Sequence, residues 1–111
     1  MAERRWRVRL SEAAERDFLS ILAWTAEHFG RRQAVTYRRT LVAALIALHG
    51  GPLLPDSRPR ADIRSDLRAL HVARRGRRGR HFIVYRSDEA GVIEVVRILH
   101  DSMDIAGNLP S

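Results

Sequence analysis

ALHVARRGRRGRHFIVY, residues 69–85, places five arginines and two glycines between two short apolar runs. The flanks read as strands bounded by turn residues, and the simplest account of residues 74–80 is the first turn of a hairpin, with the glycines supplying positive φ. These glycines do not precede a helix, so they form no phosphate-binding loop. No aromatic residue is interleaved with the arginines, which counts against a single-stranded nucleic-acid grip.

Working outward, a third strand-like run spans 92–99, and the connection SDEAG before it is short, polar and closed by Gly91, as a hairpin loop should be. Three strands in succession form a meander. Upstream, Trp6, Val8 and Leu10 alternate with arginines, the period of a half-buried strand. Ser11 then offers an N-cap, followed by Glu12, Glu15 and Asp17 where carboxylates suit the helix dipole. Ala14, Phe18, Ile21, Leu22, Thr25 and Phe29 draw an apolar stripe ending at Gly30, with Trp24 off the stripe and free to cover a second surface. A second stripe runs through Ala34, Tyr37, Leu41, Leu45 and Leu48, widened by Val35, Val42 and Ile46, and stops at Gly50, Gly51 and Pro52. The single Gly30 joint forces a tight helical hairpin. Residues 53–66 contain two prolines and no period, and read as a surface loop.

The expected architecture is therefore a two-layer α+β domain, β-α-α-β-β-β, with the helical hairpin packed on a small, mainly antiparallel sheet. One domain over 1–111 is expected, since a chain of 111 residues can bury roughly two thirds of its unfolded surface. Face parity in the last strand puts Ile93, Val95, Arg97 and Leu99 on one side and Val92, Glu94, Val96, Ile98 and His100 on the other. With both faces mostly apolar, this reads as a central strand covered on both sides.

There is no cysteine, so disulfide and thiolate chemistry are excluded, and a reducing cytoplasm is the expected location. No run approaches the ~18 apolar residues of a membrane span, so a soluble, unprocessed chain without membrane partners is expected. The net charge of +7 is concentrated: residues 57–86 hold ten arginines against two acids. All 20 basic residues are arginine, whose planar fork binds carboxylate or phosphate with two hydrogen bonds. Such a field favours an acidic partner and salt-sensitive association. Arg74, Arg75, Arg77, Arg78 and Arg80 are the candidate steering charges.

Candidates for chemistry are few. The histidines 28, 49, 71, 81 and 100 form no ligand pair, and neither metal nor cofactor is expected. His71 and His81 flank the arginine turn. His100, beside Asp101 and near Arg97 at a strand end, is the best placed for general acid–base work. Arg86 and Arg97 each share a strand face with apolar residues, as an arginine held by an internal carboxylate or turned to a partner would.

Taken in order, VRLSEAAERDFLSILAWTAEHFG (8–30), AVTYRRTLVAALIAL (34–48), DLRALHV (66–72), GRHFIVYR (79–86) and GVIEVVRILHDSMD (91–104) resemble the ParE-type toxins of the ParE/RelE superfamily of toxin–antitoxin modules. The strand ending RILH followed by MD is the most specific mark. The resemblance implies a growth-inhibiting toxin that poisons DNA gyrase without chemistry of its own. It also implies neutralisation by a cognate ParD-like antitoxin with a flexible, often acidic C-terminal segment. The RelE branch instead implies ribosome-dependent mRNA cleavage, for which Arg68, His81, Tyr85, Arg86, Arg97 and His100 are the candidates here. However, the chain continues DSMDIAGNL after His100, without the terminal Tyr or His-Tyr pair of many such nucleases. Antitoxin or target contact falls on those six residues together with Met103 and Asp104, with Met103 also able to fold the tail back onto the sheet. A non-catalytic nucleic-acid-binding module is a third reading, supported by net charge alone.

Overall fold

The computed structural model describes residues 5–109. Strand β1 (Arg7–Leu10) leads into helices α1 (Glu12–Phe29) and α2 (Arg31–Ala47), and a 3₁₀ turn covers Leu48–Gly50. Strands β2 (Arg58–Pro59), β3 (Arg68–His71), β4 (His81–Ser87) and β5 (Val92–His100) follow, then a 3₁₀ turn at Ala106–Asn108. The sheet order is β1, β5, β4, β3, β2; only β1 and β5 are parallel. The helical hairpin and the meander lie where the sequence put them. The stretch read as a loop over 53–66 adds a two-residue edge strand, β2, which the proline Pro59 can occupy because an edge needs no inward-facing N–H.

Local chemistry accounts for the joints. Ser11 Oγ accepts the amide of Ala14 at 3.0 Å and donates to the Val96 carbonyl at 2.9 Å, so one hydroxyl caps α1 and fastens it to β5. Caps of this kind stabilise by about 1 kcal/mol. At the hairpin joint Gly30 has φ +90, its N–H bonding Ala26 O and its carbonyl accepting from Ala34 N, so a single residue ends one helix and begins the next.

Strand β1 stops at Leu10, opposite Val95, which leaves the far half of β5 without a neighbouring strand on that side. Helix α1 covers that edge instead. Ser11 N donates to Val95 O at 2.9 Å, and Ile98 N donates to Asp17 Oδ2 at 2.9 Å. Backbone groups left unpaired there would otherwise be costly or would invite another strand.

The two sheet faces carry separate cores. On the helix side Ala14, Leu41, Ala44, Leu48, Leu70, Val72, Ile83, Tyr85, Ile93, Val95 and Ile98 are buried together. On the far side Leu67, Val84, Val96, Leu99 and Ile105 pack with Ile63, Phe82 and Leu109, so the 60–66 turns and the C-terminal tail form the second cover. Strict alternation along β5 fails at a bulge: Val84 faces Arg97 but Tyr85 faces Val95. The extra residue reverses parity, which sends Leu99 to the tail side with Val96 and brings Ile98 to the helix side with Ile93 and Val95. The helical stripes are also narrower than expected: Phe29, Val35 and Ile46 are exposed, and burial on α1 ends at Thr25.

Candidate functional site

The residues singled out in the sequence divide into three places. His81 begins β4 and pairs in register with His100, the last residue of β5, while Arg86 lies five residues further along β4, about 17 Å away at strand rise. They cannot serve one small reaction centre. Arg86 donates to Glu94 Oε1 at 2.8 and 3.1 Å. Tyr85 is fully buried between these ends, and its hydroxyl donates to the Pro52 carbonyl at 2.6 Å. Arg68 holds Ser57 Oγ at 2.8 Å, which ties β3 to the preceding loop.

Arg97 sits in the β5 bulge, where its Nε and Nη2 grip the two oxygens of Asp17 at 2.7 and 2.9 Å and its Nη1 donates to the Asn108 carbonyl. This arginine thus joins α1, β5 and the tail. The tail is folded onto the sheet by Ile105, which is buried, whereas Met103 remains about half exposed. Asp104 is exposed, and its carbonyl accepts from Asn108 Nδ2.

Around His81 and His100 the hydrogen bonds form a connected set. Tyr37 Oη accepts the Arg80 amide at 3.0 Å and shares a hydrogen bond with His81 Nδ1 at 2.7 Å. Burial raises the Tyr37 pKa, keeping the phenol protonated for that role. Burial, then the neighbouring His100, lowers His81 to about 4, so this ring is neutral at pH 7. His100 Nδ1 lies 3.1 Å from the Ser102 amide and 2.7 Å from its hydroxyl, with Asp101 Oδ1 at 3.6 Å. His71 Nδ1 accepts from Ala73 N and its Nε2 donates to Asp101 Oδ2 at 3.1 Å. The bonds from His71, then Arg80, hold Asp101 below the usual carboxylate range.

Two open cavities of about 450 Å³ each meet over this pair, sharing Trp24, His81 and His100. Phe29, Tyr37 and Arg78 complete the wall of one; Asp17, Arg97 and Met103 lie in the other. Together they make a groove between the end of the helical hairpin and the end of the sheet. The arginine turn borders it. Arg75 and Gly76 both have positive φ and Arg77 N bonds Arg74 O at 3.1 Å, so the hairpin reading holds with one amendment: Arg75, not Gly79, shares the left-handed turn with Gly76. Arg74 is anchored on Asp56 at 2.6 and 3.1 Å and Arg80 on Asp101 at 3.2 Å; Arg75, Arg77 and Arg78 are exposed with no carboxylate partner among the described residues.

Sequence reasoning missed Tyr37 and the Asp101–His71 pair, and placed Trp24 only as a residue off its stripe. Tyr37 reads as one more apolar position on α2, and nothing in its spacing points to a histidine 44 positions later. No three His, Asp or Glu side chains converge as a metal site among the described residues.

A helical hairpin on a five-stranded mixed sheet with a basic turn at one end defines a small α+β fold. Chains of two solved structures share it: one of a chromosomal ParDE TA system from P. aeruginosa, with a TM-score of 0.63 at 15% identity over 88% of this chain and 98% of that one, and one of the toxin-antitoxin complex RelBE2 from Mycobacterium tuberculosis, with 0.58 at 19% over 89% and 94%. At the sequence level, residues 8–105 match the family model described as ParE toxin of type II toxin-antitoxin system, parDE. Toxin ParE1 of Caulobacter vibrioides is 35% identical over 104 residues, 91% of this chain and 95% of that protein. Toxin ParE1 of Mycobacterium tuberculosis is 34% identical over 100 residues, 90% and 94% respectively. The chain belongs to the ParE toxin family of type II toxin–antitoxin systems.

Proposed function

We propose that this toxin arrests growth by poisoning DNA gyrase, performs no chemistry of its own, and is held silent in the cytoplasm by a cognate ParD-like antitoxin. Family membership over residues 8–105 carries the reading. It is supported by the dispersal of the groups that RNA cleavage would need: Tyr85 is buried, and Arg86 and Arg97 are occupied by Glu94 and Asp17.

The antitoxin's flexible, acidic C-terminal segment is the partner that the surface suits. The unpaired Arg75, Arg77 and Arg78 steer it, and Arg80 joins them at the groove edge. Trp24, Phe29 and Met103 accept its apolar side chains. Ordering a flexible segment costs conformational entropy, so affinity requires these anchors as well as charge. His81, His100, Met103 and Asp104 are the predicted contact residues that lie at or near this end of the sheet; Arg68, Tyr85, Arg86 and Arg97 hold internal partners and support the fold.

One observation favours the second reading, ribosome-dependent mRNA cleavage: Tyr37, His81 and His100 are close enough for acid–base work. Purified toxin in a gyrase supercoiling assay, run beside a ribosome programmed with mRNA, separates the two. Loss of supercoiling with intact message supports gyrase poisoning, and codon-phased RNA ends with normal supercoiling refute it.

A further inference from the structure

We propose that the groove over His81 and His100 is a binding site for a single-stranded nucleic-acid segment, its phosphates on the arginine turn and a base against Trp24. This goes beyond the toxin–antitoxin reading and does not depend on it. The sequence lacks aromatic residues among its arginines, but the fold supplies them from the helical hairpin: Trp24 and Phe29 from α1 and Tyr37 from α2 stand beside the turn.

One half of the groove carries charge of one sign. No carboxylate lines the cavity bounded by Trp24 and Arg78. The acids nearest the two histidines are already engaged, Asp101 by His71 and Arg80 and Asp17 by Arg97 and the Ile98 amide. Against them stand donors without partners. Arg75, Arg77 and Arg78 make no ion pair among the described residues, and the rings of His81 and His100 line both cavities.

The turn is built to hold that charge in place. Arg75 is the one non-glycine with positive φ among the described residues, at +52, a conformation that costs an ordinary side chain about 1 kcal/mol. It is held there between the Arg77–Arg74 backbone bond and the fork of Arg74 on Asp56. Beside it, the Trp24 indole is stacked on His28 with ring centroids 4.2 Å apart and meets Phe29 edge-on at 5.7 Å, yet stays 53% exposed. A half-open aromatic platform in one cavity with Arg78 and Arg80 matches a chain that repeats a phosphate beside a flat ring. The acidic antitoxin segment suits the same cations and apolar anchors, so the two ligands compete for the groove.

The test is fluorescence anisotropy of labelled 12-nucleotide single strands, one DNA and one RNA, titrated with the full chain across a salt series. Expected is binding in at least one arm, with the tighter arm naming the natural source. Replacing Arg75, Arg77 and Arg78 together by Gln should lower the log–log salt slope by about 2, at roughly 0.7 per phosphate contact. Trp24→Ala should weaken binding roughly five- to one-hundred-fold at fixed salt, and Trp24→Phe should restore most of it. Circular dichroism of each variant checks that the exposed substitutions leave the fold intact. Three results overturn the proposal: no binding of either strand at 0.1 M salt; unchanged affinity in Trp24→Ala, which leaves a polycation only; or a Glu-rich peptide of equal charge that binds more tightly with the same Trp24 dependence, which makes the groove a peptide site. None of these bears on gyrase, which is assayed separately.

Discussion

Removing the Asp17–Arg97 pair distinguishes a structural arginine from a contact residue. Arg97 donates twice to Asp17 at 2.7 and 2.9 Å and once to Asn108 O, and Asp17 also accepts the Ile98 amide at 2.9 Å. Their side chains are 23% and 15% exposed, between the surface pairs worth about 0–1 kcal/mol and the buried pairs whose breaking costs about 3–5 kcal/mol. Arg97→Ala should therefore cost about 2 kcal/mol. Asp17→Ala should cost about 3 kcal/mol, because it also orphans the Ile98 N–H on the strandless edge of β5. In a double-mutant cycle the coupling should be about 2 kcal/mol. Urea unfolding with unchanged slope would show this as a midpoint shift of roughly 1–2 M for each single variant. Arg97→Ala that remains folded should keep its antitoxin affinity. Single variants within about 0.5 kcal/mol of the parent and an additive double variant would refute the reasoning.

His81 makes stability fall in acid. Its pKa is lowered from 6.5 to about 4 in the fold, so the unfolded chain takes up the proton first, and stability held above pH 6.5 is lost as pH drops toward 4. Discounted for the partly open ring and for Tyr37, His100, His71 and Asp101 around it, the loss should be ~1–2 kcal/mol, absent in His81→Gln, by urea midpoints between pH 7.5 and 4.5. Gly79→Ala introduces a Cβ that overlaps Val72 Cγ2 and lies 3.0 Å from Tyr37 Oη; thermal unfolding should show a loss of ~1–3 kcal/mol. Tyr85→Phe leaves the Pro52 carbonyl with only the long 3.4 Å bond from Ser57 Oγ and should cost ~1–2 kcal/mol in the same assay while calorimetry finds antitoxin affinity unchanged.

Most of the fold is legible in the sequence because its signals are local. Ser11, Gly30 and Gly91 mark element ends, and the two apolar stripes fix which helix faces turn inward. What escapes it depends on contacts distant in sequence. The β5 bulge is invisible in VVRIL, since an extra residue in a strand shows only against its partner, and it moves Arg97 and Leu99 away from their expected faces. The strand β2 has two residues and no period to read. The site was half legible: His81 and His100 stood at strand ends, but Tyr37 lies 44 positions from His81, and the fold alone sets Trp24 beside the arginine turn. Arg86 and Arg97 were open between a carboxylate of the same chain and a partner; Glu94 pairs with the exposed Arg86 and Asp17 with the more buried Arg97.

The most direct test of gyrase poisoning under antitoxin control is the number of covalent gyrase–DNA complexes recovered from cells after the toxin is induced, with and without co-expression of the proposed antitoxin. The account expects these complexes to accumulate as growth stops, and to return to background when the antitoxin is co-expressed. Growth arrest with complexes at background, and with message cut at codon boundaries, would contradict it.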